Sequence, residues 1–228
     1  MNVVHRLPLA RVNYLNDRIS VHGYLIETDR GAILVDTGVG EGNRFIEERF
    51  EPVRWRILDL LAACGLTPSD VRTVVNSHLH FDHCGNNRTF AHAEIVVQRA
   101  ELEAARQPRY TVREWFDHER ARIREVEGDL EIVPGVTVLA SPGHTPGHQS
   151  VLVETARGPT LIAAQAAWTA REYTLGGDPD NQAHEGLEAA YRRSIERLKT
   201  FGAARVLFSH DVAEADDSGS RDILRPTT

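Results

Sequence analysis

The chain has 228 residues, a formal net charge of -7 and two cysteines. Residues 1–228 are enough for one domain of α/β or sandwich type with a sizeable core, and are read as a single domain. The acidic balance argues against a nucleic-acid surface, and no apolar run is long enough to span a bilayer, so neither nucleic acid nor membrane is an expected partner.

Residues 1–8 lack a cationic start followed by a long apolar stretch, so no signal peptide is expected. Residues 20–28 alternate and are partly β-branched, and 31–36 follow a turn at Asp29-Arg30-Gly31, which predicts a β-hairpin. The chain then breaks at Gly38, Gly40 and Gly42, so Asp36 closes a strand beneath a glycine-rich loop. Residues 55–63 carry Ile57, Leu58, Leu60 and Leu61 at helical spacing, and Gly65 ends that helix. A turn at 67–70 leads into Val71-Arg72-Thr73-Val74-Val75, which reads as a buried strand.

The next strand is expected at 94–97 and a short helix at 99–106. Residues 107–128 are less regular; the mix of aromatics and charges at 113–118 suits either a helical lid or a charged surface helix. Strands are expected at 132–138 and 151–154, either side of a loop at 141–148, and again at 161–164 and 205–208. Between the last two, 187–201 is an amphipathic helix with Ala190, Tyr191, Ile195 and Leu198 on one side. The tail after Asp216 is polar and expected to fray.

Chemistry concentrates after the strand at 71–75, in Asn76-Ser77-His78-Leu79-His80-Phe81-Asp82-His83-Cys84-Gly85. Three histidines and an aspartate fall within six residues. Imidazole and carboxylate are the usual zinc ligands where thiolates are scarce. His78 and His80 are two apart, so in an extended segment they point the same way, while Asp82 and His83 can turn toward a second point. Cys84 fits packing or loop support better than a ligand role, and Cys64 fits a core. Two such cysteines suit a reduced, cytoplasmic protein.

His-x-His-x-Asp-His after a strand resembles the signature of the metallo-β-lactamase fold superfamily. The resemblance continues in Val35-Asp36-Thr37-Gly38, in Ser141-Pro142-Gly143-His144-Thr145-Pro146-Gly147-His148 and in Ser209-His210-Asp211, in the family's order. In detail the motifs look most like the branch of N-acyl homoserine lactonases. The resemblance implies a four-layered αββα sandwich, with metals at one edge between two sheets. It implies a first metal site of His78, His80 and His144 and a second of Asp82, His83 and His210. His148 matches a histidine that is not usually a ligand, and Asp36 either stands behind the metals or caps its loop as a turn former.

Two departures fall in one short segment. Gln165 stands where close relatives have an aspartate bridging two metals, and Trp168 where they have a tyrosine that can polarise the substrate carbonyl. An amide offers one neutral carbonyl oxygen, and an indole N–H can donate but cannot ionise or accept. The expected cofactor is therefore one tightly bound zinc, with a weaker second ion. The expected function is a metal-dependent hydrolase that attacks a lactone or ester carbonyl of a small-molecule substrate with a metal-bound hydroxide, Asp82 carrying the proton to the leaving alcohol. Gln165, Trp168, Tyr173 and Phe116, with Trp115, are the candidate pocket residues. A thioester, β-lactam or biosynthetic substrate, or a metal-binding protein without catalysis, are the alternatives.

Overall fold

The computed structural model describes residues 1–15 and 17–211; the polar tail after Asp216 lies outside them. Twelve strands form two sheets among the described residues. In chain order they begin with β1 (Val3–Tyr14), β2 (Asp17–Thr28), β3 (Gly31–Val35), β4 (Val53–Arg54), β5 (Val71–Val75), β6 (Glu94–Gln98) and β7 (Ile123–Val126). These make one sheet in the order β4-β1-β2-β3-β5-β6-β7. The second sheet runs β12-β11-β10-β9-β8, from β8 (Leu130–Val133), β9 (Val136–Ala140), β10 (Gln149–Thr155), β11 (Gly158–Ala164) and β12 (Arg205–Phe208).

The period of two along each strand builds the layers. Tyr24, Ile26, Ile33, Val35, Val75 and Val96 face inward and meet Val138, Val151, Ile162 and Leu207 of the second sheet. Their neighbours Leu25, Leu34, Val74, Ile95 and Val97 point the other way. They pack with Ile46 of α1 (Arg44–Phe50), Leu60 and Leu61 of α2 (Ile57–Ala63), Leu102 of α3 (Arg99–Ala105) and Phe116 of α4 (Arg113–Phe116). On the far face, Leu161, Ala163 and Phe208 meet Tyr173 of α5 (Ala170–Leu175) and Tyr191, Ile195 and Leu198 of α7 (Glu188–Lys199), with the short α6 (Pro179–Gln182) between them in sequence. The result is helix, sheet, sheet, helix, as the motifs implied.

Several expected elements differ in detail. β1 was not foreseen, because Arg6, Pro8 and Arg11 interrupt its alternation; Pro8 sits where the β1–β2 register shifts, a position that tolerates a missing N–H. The strand expected at 132–138 is two antiparallel strands, β8 and β9, with Pro134-Gly135 as the turn between them. The irregular 107–128 segment contains only the four-residue α4 and then β7. No described helix is long and apolar enough to cross a membrane.

The topology brings strand ends together. β3 and β5 are parallel, as are β11 and β12, so Asp36, the 76–83 loop, Gln165 and His210 all leave the sheets at the same edge. Asp36 (φ 62°) and Ala164 (φ 53°) both adopt the left-handed conformation there, which is costly for a residue with a side chain and turns the chain sharply at the site. Gly85 allows its loop to lie on Gly38-Val39-Gly40: its N–H donates to Gly38 O at 2.8 Å, and a Cβ would come within 1.8 Å of Gly40 N.

Candidate metal centre

Three imidazole nitrogens meet at one point. His78 Nε2 lies 3.1 Å from His80 Nδ1, which lies 3.3 Å from His144 Nε2. The outer partners set the tautomers. His144 Nδ1 lies 3.0 Å from Gln182 O, a carbonyl that can only accept, so the proton sits on Nδ1 and Nε2 presents a lone pair. His78 Nδ1 lies 3.1 Å from Ser77 Oγ, whose own hydrogen goes to Asp36 Oδ2 at 2.7 Å, so His78 also presents a lone pair from Nε2. Both lone pairs face His80 Nδ1, and one proton there can serve only one of them. A cation at the meeting point satisfies all three and leaves a fourth position open, which suits catalytic zinc.

A second group stands beside it. His83 Nδ1 donates to Asp36 Oδ2 at 2.8 Å; its Nε2 has no hydrogen-bond partner and points toward Asp82 Oδ2, 3.5 Å away. His210 Nδ1 donates to Ser20 O at 2.9 Å, so its Nε2 is an acceptor. That nitrogen lies 3.2 Å from Gln165 Oε1 and 3.7 Å from Asp82 Oδ2. At His210 an acceptor nitrogen thus faces two acceptor oxygens, which again suits a cation. Within each group, His78, His80 and His144 or Asp82, His83 and His210, the ligand atoms all lie within 4.8 Å of one another.

The residues behind the ligands hold them. Asp36 accepts from Ser77 N–H, Ser77 Oγ and His83, so it orients both loop ends of the motif as well as shaping its own turn. His148 has both ring nitrogens engaged, Nδ1 against Ser141 and Nε2 accepting from Gln165 N–H at 3.2 Å, which leaves none for a metal. Cys84 directs its thiol at the carbonyls of Leu79 and His80, and burial pushes its pKa up, so it supports the loop. Asp211 accepts from Ala170 N–H at 2.7 Å and ties the chain after β12 to the start of the helix Ala170–Leu175.

Charge follows from this packing. Burial disfavours charge on His83, but Asp82 and Asp36 outweigh it and lift its pKa to about 10. Burial acts against the Asp82 carboxylate too, yet His83 and His210 hold its pKa below the usual range. Six other imidazoles are pushed down by burial: His80 and His210 to about 4, His148 and His22 to about 3, and His78 and His144 well below the ordinary 6.5. Below 6.5 the unfolded chain therefore binds protons that the folded chain refuses, so stability falls as pH drops from 6.5 toward 4. The contribution of His83 is fully present below 6.5 and is lost only as pH rises toward 10, so it does not offset this trend. Metal-stripped protein is expected to show a falling Tm across that acid window; a flat Tm would contradict the burial argument.

The two groups open into a cavity of about 240 Å³ lined by His80, Asp82, His144 and His210. Gln165 and Trp168 line it, together with Val12, Tyr14, Ile19, Phe50 and Phe81, which carried no expectation. Trp168 lies flat on His210, ring centroids 4.3 Å apart, and Tyr14 lies on Trp168 at 5.7 Å. Phe116 and Tyr173 do not line this cavity. Each sits on the core-facing side of a short helix: Phe116 is 1% exposed, and Tyr173 is 7% exposed and packs edge-on against Phe208. Trp115 is likewise in the core, against Gly40. Past the tilted pair Phe50 and Phe81, centroids 4.3 Å apart, a second cavity of about 450 Å³ is lined largely by Phe45, Ile46, Tyr110 and Val112.

A family model described as the Metallo-beta-lactamase superfamily matches residues 16–210. The chain is 37% identical over 209 residues to an N-acyl homoserine lactonase of a Bacillus species, covering 84% of this chain and 81% of the relative. It is 36% identical over 219 residues to an N-acyl homoserine lactonase of Bacillus cereus, covering 89% and 84%. A crystal structure of a mutant of B. thuringiensis AiiA, with N-decanoyl-L-homoserine bound at its active site, superposes with a TM-score of 0.78 at 32% identity, covering 92% of this chain and 93% of that one.

Proposed function

The chain belongs to the metallo-β-lactamase superfamily, and on that premise we propose that it is a metal-dependent hydrolase that opens lactone rings, N-acyl homoserine lactones among them. The observation that carries this is the pair of converging ligand groups at the floor of an apolar-walled cavity. His78, His80 and His144 would hold one zinc, and Asp82, His83 and His210 a second. When bound, zinc makes hydroxide available by lowering the pKa of water to about 7, and polarises a carbonyl.

The chain's own residues do the rest. Asp82 faces the cavity beside His83 and His210, where its carboxylate can accept a proton from the attacking water and return it to the ring oxygen as the carbonyl–oxygen bond breaks. The product is a hydroxy acid. Asp36 keeps His83 aligned for this by holding its Nδ1–H. Phe50, Phe81 and the second cavity beyond them offer an apolar path for an acyl chain, and the flat Trp168 closes the side over His210. We take residues 1–228 as one catalytic domain, because both sheets contribute ligands, and we place it in the cytoplasm on its two unpaired cysteines.

The metal content should be unequal. Two dications a few ångströms apart repel, and anionic ligands offset that repulsion. Gln165 brings a neutral oxygen to His210, so the second ion is held more weakly than the first. Gln165→Asp is expected to raise zinc stoichiometry toward two, read by elemental analysis after dialysis against a mild chelator. Two ions retained by the unaltered protein under that treatment would show the charge argument to be wrong.

The substrate class is tested on metal-analysed protein with acyl homoserine lactones, other lactones and esters, thioesters and β-lactams side by side. Ring opening of lactones is expected to lead. A clear preference for the thioester or β-lactam would move the substrate class.

A further inference from the structure

Glu101 is fully buried in the first turn of α3, behind the metal ligands. One of its oxygens accepts from the Leu79 N–H at 2.8 Å and the Tyr110 hydroxyl at 2.5 Å. The other accepts from the Thr145 hydroxyl at 2.6 Å and the Gly147 N–H at 3.3 Å. Leu79 lies between His78 and His80, and Thr145 follows His144. The Tyr110 ring lies against His80, centroids 4.9 Å apart. The glycine at 147 lets the loop come this close: a Cβ there would sit 2.1 Å from Glu101 N.

We infer that Glu101 is a positioning residue that sets the mutual geometry of His78, His80 and His144, by clamping their two loops to one carboxylate. The inference rests on the metal assignment above. Four donors need the lone pairs of an ionised carboxylate; a glutamine can accept at one end only, and its NH₂ would face two donors. The loops come from different sheets, β5 on one side and β9–β10 on the other. A shared buried anion makes their separation a property of one side chain. Partners of this kind behind metal ligands control affinity without touching the metal.

The test compares unaltered protein with Glu101→Gln by zinc competition against a chromophoric chelator, by the visible spectrum of the cobalt form, and by Tm of the metal-free form. Zinc affinity is expected to fall by about 10–100-fold, and the cobalt spectrum to change, in protein that still folds. Tyr110→Phe and Thr145→Val each remove one donor and are expected to fall between the two; they decide the matter if Glu101→Gln does not fold. Zinc affinity and cobalt spectrum unchanged in the variants that fold, with only the metal-free Tm lowered, would overturn the inference and leave Glu101 a purely structural group. Failure of the unaltered protein to take up zinc would overturn the metal assignment itself, and this inference with it.

Discussion

Replacing His80 with alanine is expected to lower zinc affinity at the first group by more than about 10²-fold, beyond the range seen for residues that only support ligands, and to abolish hydrolysis. His80 Nδ1 is the nitrogen that both His78 Nε2 and His144 Nε2 face. Without it two imidazoles remain, and zinc sites of the catalytic kind need three protein ligands. The loss should be specific. The His80 ring is turned toward the other two imidazoles rather than into the core, and its neighbours Leu79 and Cys84 keep the loop packed. Elemental analysis, zinc titration and Tm of the metal-free form check this together. Unchanged zinc uptake would remove His80 from the ligand set.

Trp168→Tyr is expected to raise kcat/KM for a short-chain acyl homoserine lactone by up to about 10²-fold, the scale on which a single well-placed oxyanion donor acts. Trp168 lines the cavity with Gln165 and stacks on both His210 and Tyr14. Its indole can donate only from the ring edge. A phenol placed there is smaller and carries a hydroxyl that can reach the carbonyl oxygen as charge develops. The unaltered protein should correspondingly favour a bulkier or aromatic lactone or ester, which can lie against the stacked rings. Efficient turnover of simple lactones by the unaltered protein, with no gain in the variant, would show that Trp168 does not limit the substrate range.

Four of the six candidate metal ligands were legible because their signal is local, while His144 and His210 came only from the resemblance. His78, His80, Asp82 and His83 lie within six residues, and β5, which delivers them, is β-branched at every position but Arg72. The layers were implied only by the resemblance of the motifs; once the strands pair, the period of two along β2, β3, β5 and β6 puts neighbouring residues on opposite faces. The cavity walls beyond Gln165 and Trp168 were not legible. Tyr14, Ile19 and Phe50 reach the site only through the β1–β2 pairing and α1, which no local pattern announces. Phe81 was within reach, being part of the motif itself. Phe116 and Tyr173 had the right chemistry and position in the chain, but the faces of α4 and α5 turn them into the core. Glu101 was hidden differently: a carboxylate in the first turn of a short helix reads as a solvated, dipole-complementing group. Only the packing of two distant loops against it shows otherwise.

The most direct test of a metal-dependent lactone hydrolase is base uptake at constant pH, since opening a lactone releases an acid. The same protein is assayed as purified, after chelator treatment and after zinc is returned, on an acyl homoserine lactone and on a bulkier lactone. The account predicts hydrolysis that disappears on stripping and returns with zinc. Hydrolysis that persists at the same rate in fully stripped protein, or zinc-loaded protein that opens neither lactone, would contradict it.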